Sequence, residues 1–221
     1  MANHHHDERC LPDREAWEKL QAILANCLRH PDEALERAIE DGSLHADLAE
    51  TMAAVGLDAP SPPPTVADRD LTEDYEALFG AFRTPFAPPA ASPYKEWFED
   101  HEGGLMEGPP AKAMERRYAA MDAAVPEAYP ADHVALELEY ASILTEADEL
   151  DELASFLHSE LDWLDAFRQL VGEAAAEAPF HRWAVDVLVL VADRLRVELD
   201  VPQPTDEAVD RMASRARNQI E

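Results

Sequence analysis

The chain has 221 residues, with 47 acidic and 18 basic side chains and a formal charge of -29. A surface that follows phosphates needs clustered Lys and Arg, so this balance excludes a nucleic-acid binder and an anionic membrane surface as partner. Leu, Ile, Val and Phe supply 47 residues, close to the share of about 20% below which highly charged chains stay disordered.

Thirty-nine Ala residues tip the balance toward order, because Ala packs at little entropic cost and favours helix. This length suits one core and one domain. Only seven Gly and few β-branched residues argue against sheets. Residues 1–12, which include His4, His5 and His6, are expected to be disordered. Their polar, His-rich character does not match a secretory signal.

The helical domain is expected over 13–200. Trp17, Leu20, Leu24, Cys27 and Leu28 form the first apolar stripe, which stops at His30–Pro31. Two Cys, Cys10 and Cys27, make no disulfide framework. Residues 32–41 read as a short helix ending at Gly42. Ser43 is expected to cap the next, which Gly56 closes after Val55. Residues 58–66, with Pro60, Pro62, Pro63 and Pro64, predict a stiff extended connection. Thr72 opens a helix carrying Tyr75, Leu78, Phe79 and Phe82.

Ser92–Pro93 reads as the start of a short helix that ends before Gly103–Gly104. Further helices are expected at about 110–124, from Pro130 through Leu144, at 148–171 with a break near Ser159, and at 180–199. The tail, 201–221, reads as a weak helix. The fold class is therefore an all-α, single-domain bundle of nine or ten helices.

Phosphate-binding glycine loops, CxxC pairs and GxSxG elbows are absent. Three segments stand out. Tyr75-Glu-Ala-Leu-Phe79 and Ser92-Pro-Tyr-Lys-Glu-Trp-Phe98 place bulky aromatics near helix ends and Pro-rich loops. Such side chains line a groove for an apolar peptide or simply fill a core. In Pro130-Ala-Asp-His-Val-Ala-Leu-Glu-Leu-Glu139, His133 and Glu137 are four apart and are expected to share a helix face. They would supply two metal ligands, or only a helix-terminal pair with Asp132 beside the positive end of the dipole.

Taken in order, these segments resemble the TorD/DmsD family of molybdoenzyme chaperones. The resemblance rests on Tyr75, Leu78 and Phe79, then Ser92, Pro93 and Tyr94, then Pro130, Asp132 and His133 followed by Glu137-Leu-Glu-Tyr140. Phe156-Leu-x-x-Glu160-Leu-x-Trp163 adds a fourth match, and the similarity spans about 14–200. Glu160, Lys95 and Trp97 depart from the family pattern.

The resemblance implies a non-catalytic, cytoplasmic protein without cofactor. It would bind the twin-arginine signal peptide of a molybdopterin oxidoreductase catalytic subunit, such as a dimethyl sulfoxide reductase, until the cofactor is inserted. It points to Tyr75, Leu78, Phe79, Ser92, Pro93, Tyr94, Asp132, His133 and Glu137 as peptide-binding positions, with Asp132 accepting guanidinium hydrogen bonds. Monomer and homodimer both remain open.

Two other readings stand beside this one: a metal-dependent hydrolase using His133 and Glu137, and an acidic helical adaptor whose motifs are only core. Fifteen Arg against three Lys, with the acidic excess, resembles proteins of salt-accumulating halophiles. An ordinary acidic protein fits the same counts.

Overall fold

The computed structural model describes residues 10–65, 70–80, 84–96, 104–174 and 177–220. His4–His6, Phe82, Trp97 and Phe98 lie outside the described residues. The described chain is an all-α bundle of ten helices: α1 (Arg14–Cys27), α2 (Glu33–Glu40), α3 (Ser43–Ala54), α4 (Leu71–Phe79), α5 (Pro109–Ala120), α6 (Val134–Glu146), α7 (Leu150–Ser159), α8 (Leu164–Glu173), α9 (Pro179–Glu198) and α10 (Asp206–Ile220). No helix among the described residues is long and apolar enough to cross a membrane.

The core forms where α1 lies along α6. Trp17, Leu20 and Leu24 are fully buried there. Facing them, α6 is buried on nearly all sides, from Val134 through Leu138 and on to Tyr140 and Ala141. A helix apolar all round belongs in the interior, which is why α6 can carry the motif side chains inward. α3 and α9 also pack on α1, while α10 packs on α8 and α8 on α9.

Several boundaries differ from the sequence expectation for local chemical reasons. Ser43 is the first residue of α3 rather than its cap. The cap is Gly42 at φ +79, a left-handed conformation glycine adopts without strain, and Asp41 accepts the Ser43 N–H at 2.8 Å. α4 begins at Leu71, with Asp70 accepting the Glu73 N–H at 3.1 Å.

Ser92–Pro93 does not open a helix within the described residues: residues 92–94 form a turn. The expected break at Ser159 is present, between α7 and α8. The segment after Pro202 is a full 15-residue helix. Its buried face is Val209, Met212, Ala213 and Ala216, an i, i+3, i+4, i+7 stripe made inconspicuous by its small residues. Arg217 clamps it to Glu173 through two hydrogen bonds of 2.7 and 2.6 Å.

The described part of the Pro-rich connection has no regular secondary structure and is tied down at two points. The Trp183 indole N–H donates to the Ser61 carbonyl at 2.9 Å, and His45 Nε2–H donates to that of Pro60 at 3.0 Å.

Candidate functional site

The N-terminus of α6 is the junction on which the site is built. His133 is its cap: the backbone there is extended, and Nδ1 accepts the Ala135 N–H at 3.2 Å. Asp132, fully buried, accepts the Ser92 N–H at 2.6 Å and the Ser92 hydroxyl at 2.5 Å on one oxygen. The Ser92 oxygen in turn accepts the Gly108 N–H at 3.0 Å.

Backbone bonds run alongside. The Ala91 N–H donates to the Asp132 carbonyl at 3.1 Å, and the Val134 N–H to that of Pro89 at 2.8 Å. Ala90 and His133 form an isolated antiparallel bridge. The loop 89–95, the start of α5 and the start of α6 are thus fastened together. Burial pushes the Asp132 carboxyl up to about 6, against the lowering effect of its Ser92 bonds.

Glu137 turns the other way. It is fully buried and accepts the Trp163 indole N–H at 3.1 Å. Burial pushes its carboxyl well above the ordinary range. The four-residue spacing suggested a His133–Glu137 pair, but His133 stands outside the helix as its cap, and the two side chains take different partners. That removes the ligand pair on which the hydrolase reading depended. Among the described residues, no three His, Cys, Asp or Glu side chains converge to hold a metal ion.

Tyr94 is likewise interior. Its hydroxyl donates to the Pro88 carbonyl at 3.0 Å, and its ring lies 4.9 Å from that of Trp163. Pro93 and Leu78 are buried as well.

In front of this frame a cleft of about 270 Å³ opens. Tyr75, Glu76, Phe79 and Gly80 of the α4 segment form one wall; Ala128, Tyr129, Pro130 and His133 form the opposite one; His30, Pro89 and Met106 close the ends. A second hollow of about 630 Å³ adjoins it, sharing Met106, Ala128, Tyr129 and Pro130, and adds Glu107, Lys112, Glu115 and Glu127. A broader hollow of about 800 Å³ lies on α10, but it is lined only by polar and charged residues of that one helix.

Of the nine candidate positions, Tyr75, Phe79 and His133 line the cleft. Leu78, Ser92, Pro93, Tyr94, Asp132 and Glu137 lie behind it. Because Asp132 is enclosed and already bonded to Ser92, the structure makes it a clamp between segments rather than an exposed acceptor for guanidinium.

The imidazole in the cleft wall is neutral. Burial holds the His133 imidazole down to about 3, with Arg29 adding a smaller push in the same direction. Behind the α4 wall, His181 sits edge-on to Tyr75 and Phe79 at 5.5 and 5.6 Å, and burial holds it down to about 4. Sequence reasoning missed His30, Met106, Ala128 and Tyr129. Tyr129 directly precedes the Pro130 motif and His30 ends the α1 stripe; those two positions were the available signal.

A model of the family described as nitrate reductase delta subunit matches residues 10–175. No curated protein matches the chain. The match covers most of the chain, including all nine candidate positions, the clamp at Ser92 and Asp132 and every wall of the cleft. The chain therefore belongs to the nitrate reductase delta subunit family, the non-catalytic chaperones of molybdoenzyme maturation, in agreement with its TorD/DmsD resemblance.

Proposed function

We propose that the chain binds the N-terminal twin-arginine signal peptide of a molybdopterin oxidoreductase catalytic subunit in the cytoplasm, and holds it until the cofactor is inserted. The observation that carries this reading is the pairing of two adjoining hollows, one aromatic and apolar, the other bearing carboxylates. Such a peptide has an arginine pair followed by an apolar stretch. Tyr75, Phe79 and Met106 suit the apolar stretch. Glu107, Glu115 and Glu127 suit the arginines, since charge-assisted hydrogen bonds to carboxylates are strong and directional. The family's description makes nitrate reductase the first client to test, ahead of dimethyl sulfoxide and trimethylamine oxide reductases.

Salt separates contact recognition from long-range attraction. The screening length is about 3 Å at 1 M, so a charge of -29 cannot steer a basic peptide from afar in a saline cytoplasm of the halophile type. Close ion pairs and apolar burial must carry the affinity. Calorimetric titration of the client's signal peptide is expected to show Kd changing by less than about tenfold from low to multi-molar KCl. A steep monotonic loss of affinity would contradict this balance of forces.

A further inference from the structure

The cleft carries two phenols that each already accept a hydrogen bond. The neutral His133 ring accepts the Ala135 N–H on Nδ1 at 3.2 Å. An imidazole with one bare nitrogen carries its proton on the other, so Nε2–H points at the Tyr75 hydroxyl, 3.2 Å away. The Tyr75 oxygen is therefore the acceptor of that bond. On the opposite wall, the His30 backbone N–H donates to the Tyr129 hydroxyl at 3.0 Å. The two walls meet at the Tyr75–His133 bond; the Tyr129 ring lies 4.6 Å from that of His133, and the His30 ring 5.3 Å from that of Tyr75.

Each hydroxyl still owns a proton, and neither proton has an acceptor among the described residues. Both lie in the wall of the same cleft. A mainly apolar lining with two O–H donors, and Glu76 as its carboxylate, is complementary to a ligand that is apolar in its side chains and bears acceptors in its backbone. Acidic side chains would meet the same donors, but a net charge of -29 disfavours them.

We propose that Tyr75 and Tyr129 donate hydrogen bonds to main-chain carbonyls in the apolar stretch of the bound peptide, with His133 as the positioning residue whose Nε2–H holds the Tyr75 hydroxyl as an acceptor and leaves its proton to the peptide. This inference rests on the peptide-binding reading above. The carbonyls concerned are those without a partner inside the peptide, as an extended segment or the last turn of a helix supplies.

The test uses the full chain and a synthetic peptide carrying an arginine pair followed by an apolar stretch. Tyr75→Phe and Tyr129→Phe keep both rings and remove only the donors. Each is expected to weaken calorimetric affinity about three- to tenfold. His133→Asn keeps a good cap for α6 but withdraws the Nε2–H, so it is expected to match Tyr75→Phe and to add nothing to it in the double variant.

Nitrogen-15 spectra of the free protein are expected to show His133 protonated on Nε2; protonation on Nδ1 alone would overturn the inference. Wild-type binding with unchanged affinity in both tyrosine variants would overturn it while leaving the peptide-binding reading intact. Absence of wild-type binding would overturn both.

Discussion

Replacing Asp132 by Ala is expected to destabilise the fold by about 3 kcal/mol, lowering the melting temperature by roughly 6–12 °C, and to abolish peptide binding with it. The Ser92 N–H and hydroxyl would lose their shared acceptor where both residues are fully buried. A buried donor left unmade costs about 1–3 kcal/mol. The damage spreads because Ser92 also receives the Gly108 N–H, so the start of α5 and its approach through Met106 and Glu107 lose their anchor.

Asp132→Asn is the informative companion. Its amide oxygen can accept both Ser92 donors, so the frame and the cleft are expected to persist. The two substitutions thereby separate a clamp from a direct peptide contact. Were Asp132 itself the acceptor for arginine, the Asn variant would fold normally yet bind poorly.

The same pair has a pH signature. Burial raises the Asp132 carboxyl from 3.8 to about 6. Its protonated form is the one the fold prefers, so the stabilising contribution is complete below pH 3.8 and is lost as pH rises through 6. The Asn variant has no such loss. Its stability relative to wild type is expected to improve by roughly 2 kcal/mol between pH 4 and pH 7, measured by urea denaturation at each pH. A difference that is flat across this window, or of opposite sign, would contradict the assignment.

Ala128→Trp is expected to reduce peptide affinity by more than about thirtyfold, a loss exceeding 2 kcal/mol, without loss of fold. Ala128 is exposed and lies in the wall common to both hollows. An indole there would occupy the space that the apolar stretch and the adjoining arginines need. Since Ala128 is not part of the buried core, the helical circular dichroism signal and the melting temperature are expected to stay near wild type. Ala123→Trp, at an exposed position outside both hollows, serves as the control and is expected to bind normally. Equal affinity in the two variants would place the peptide elsewhere.

The helical character of the chain was legible because its signals are local. The Trp17–Leu20–Leu24 stripe, the Pro-rich 58–66 connection and the break at Ser159 each depend on near neighbours in sequence. The resemblance was legible for the same reason, as short ordered motifs. What was not legible is which motif side chains face outward. His133 and Glu137 read as helical neighbours, yet His133 is a cap and Glu137 points to Trp163, 26 residues further on. Ser92 read as a helix cap because a hydroxyl before proline usually is one; instead it serves Asp132, 40 residues away. The outward residues Met106, Ala128 and Tyr129 are ordinary in sequence and acquire meaning only when α4 and the approach to α6 face each other. α10 was underestimated because alanines, not large apolar residues, make up half of its buried stripe.

The most direct measurement of where the peptide lies is photo-crosslinking. A synthetic signal peptide with a photoreactive residue placed in its apolar stretch would be irradiated with the full chain, and the adducts mapped by mass spectrometry. Adducts are expected on Tyr75, Phe79, Met106 and Tyr129, and are expected to disappear in Ala128→Trp. Adducts concentrated on the α10 face around Arg211 and Arg215, unaffected by Ala128→Trp, would contradict the assignment of the cleft as the peptide site.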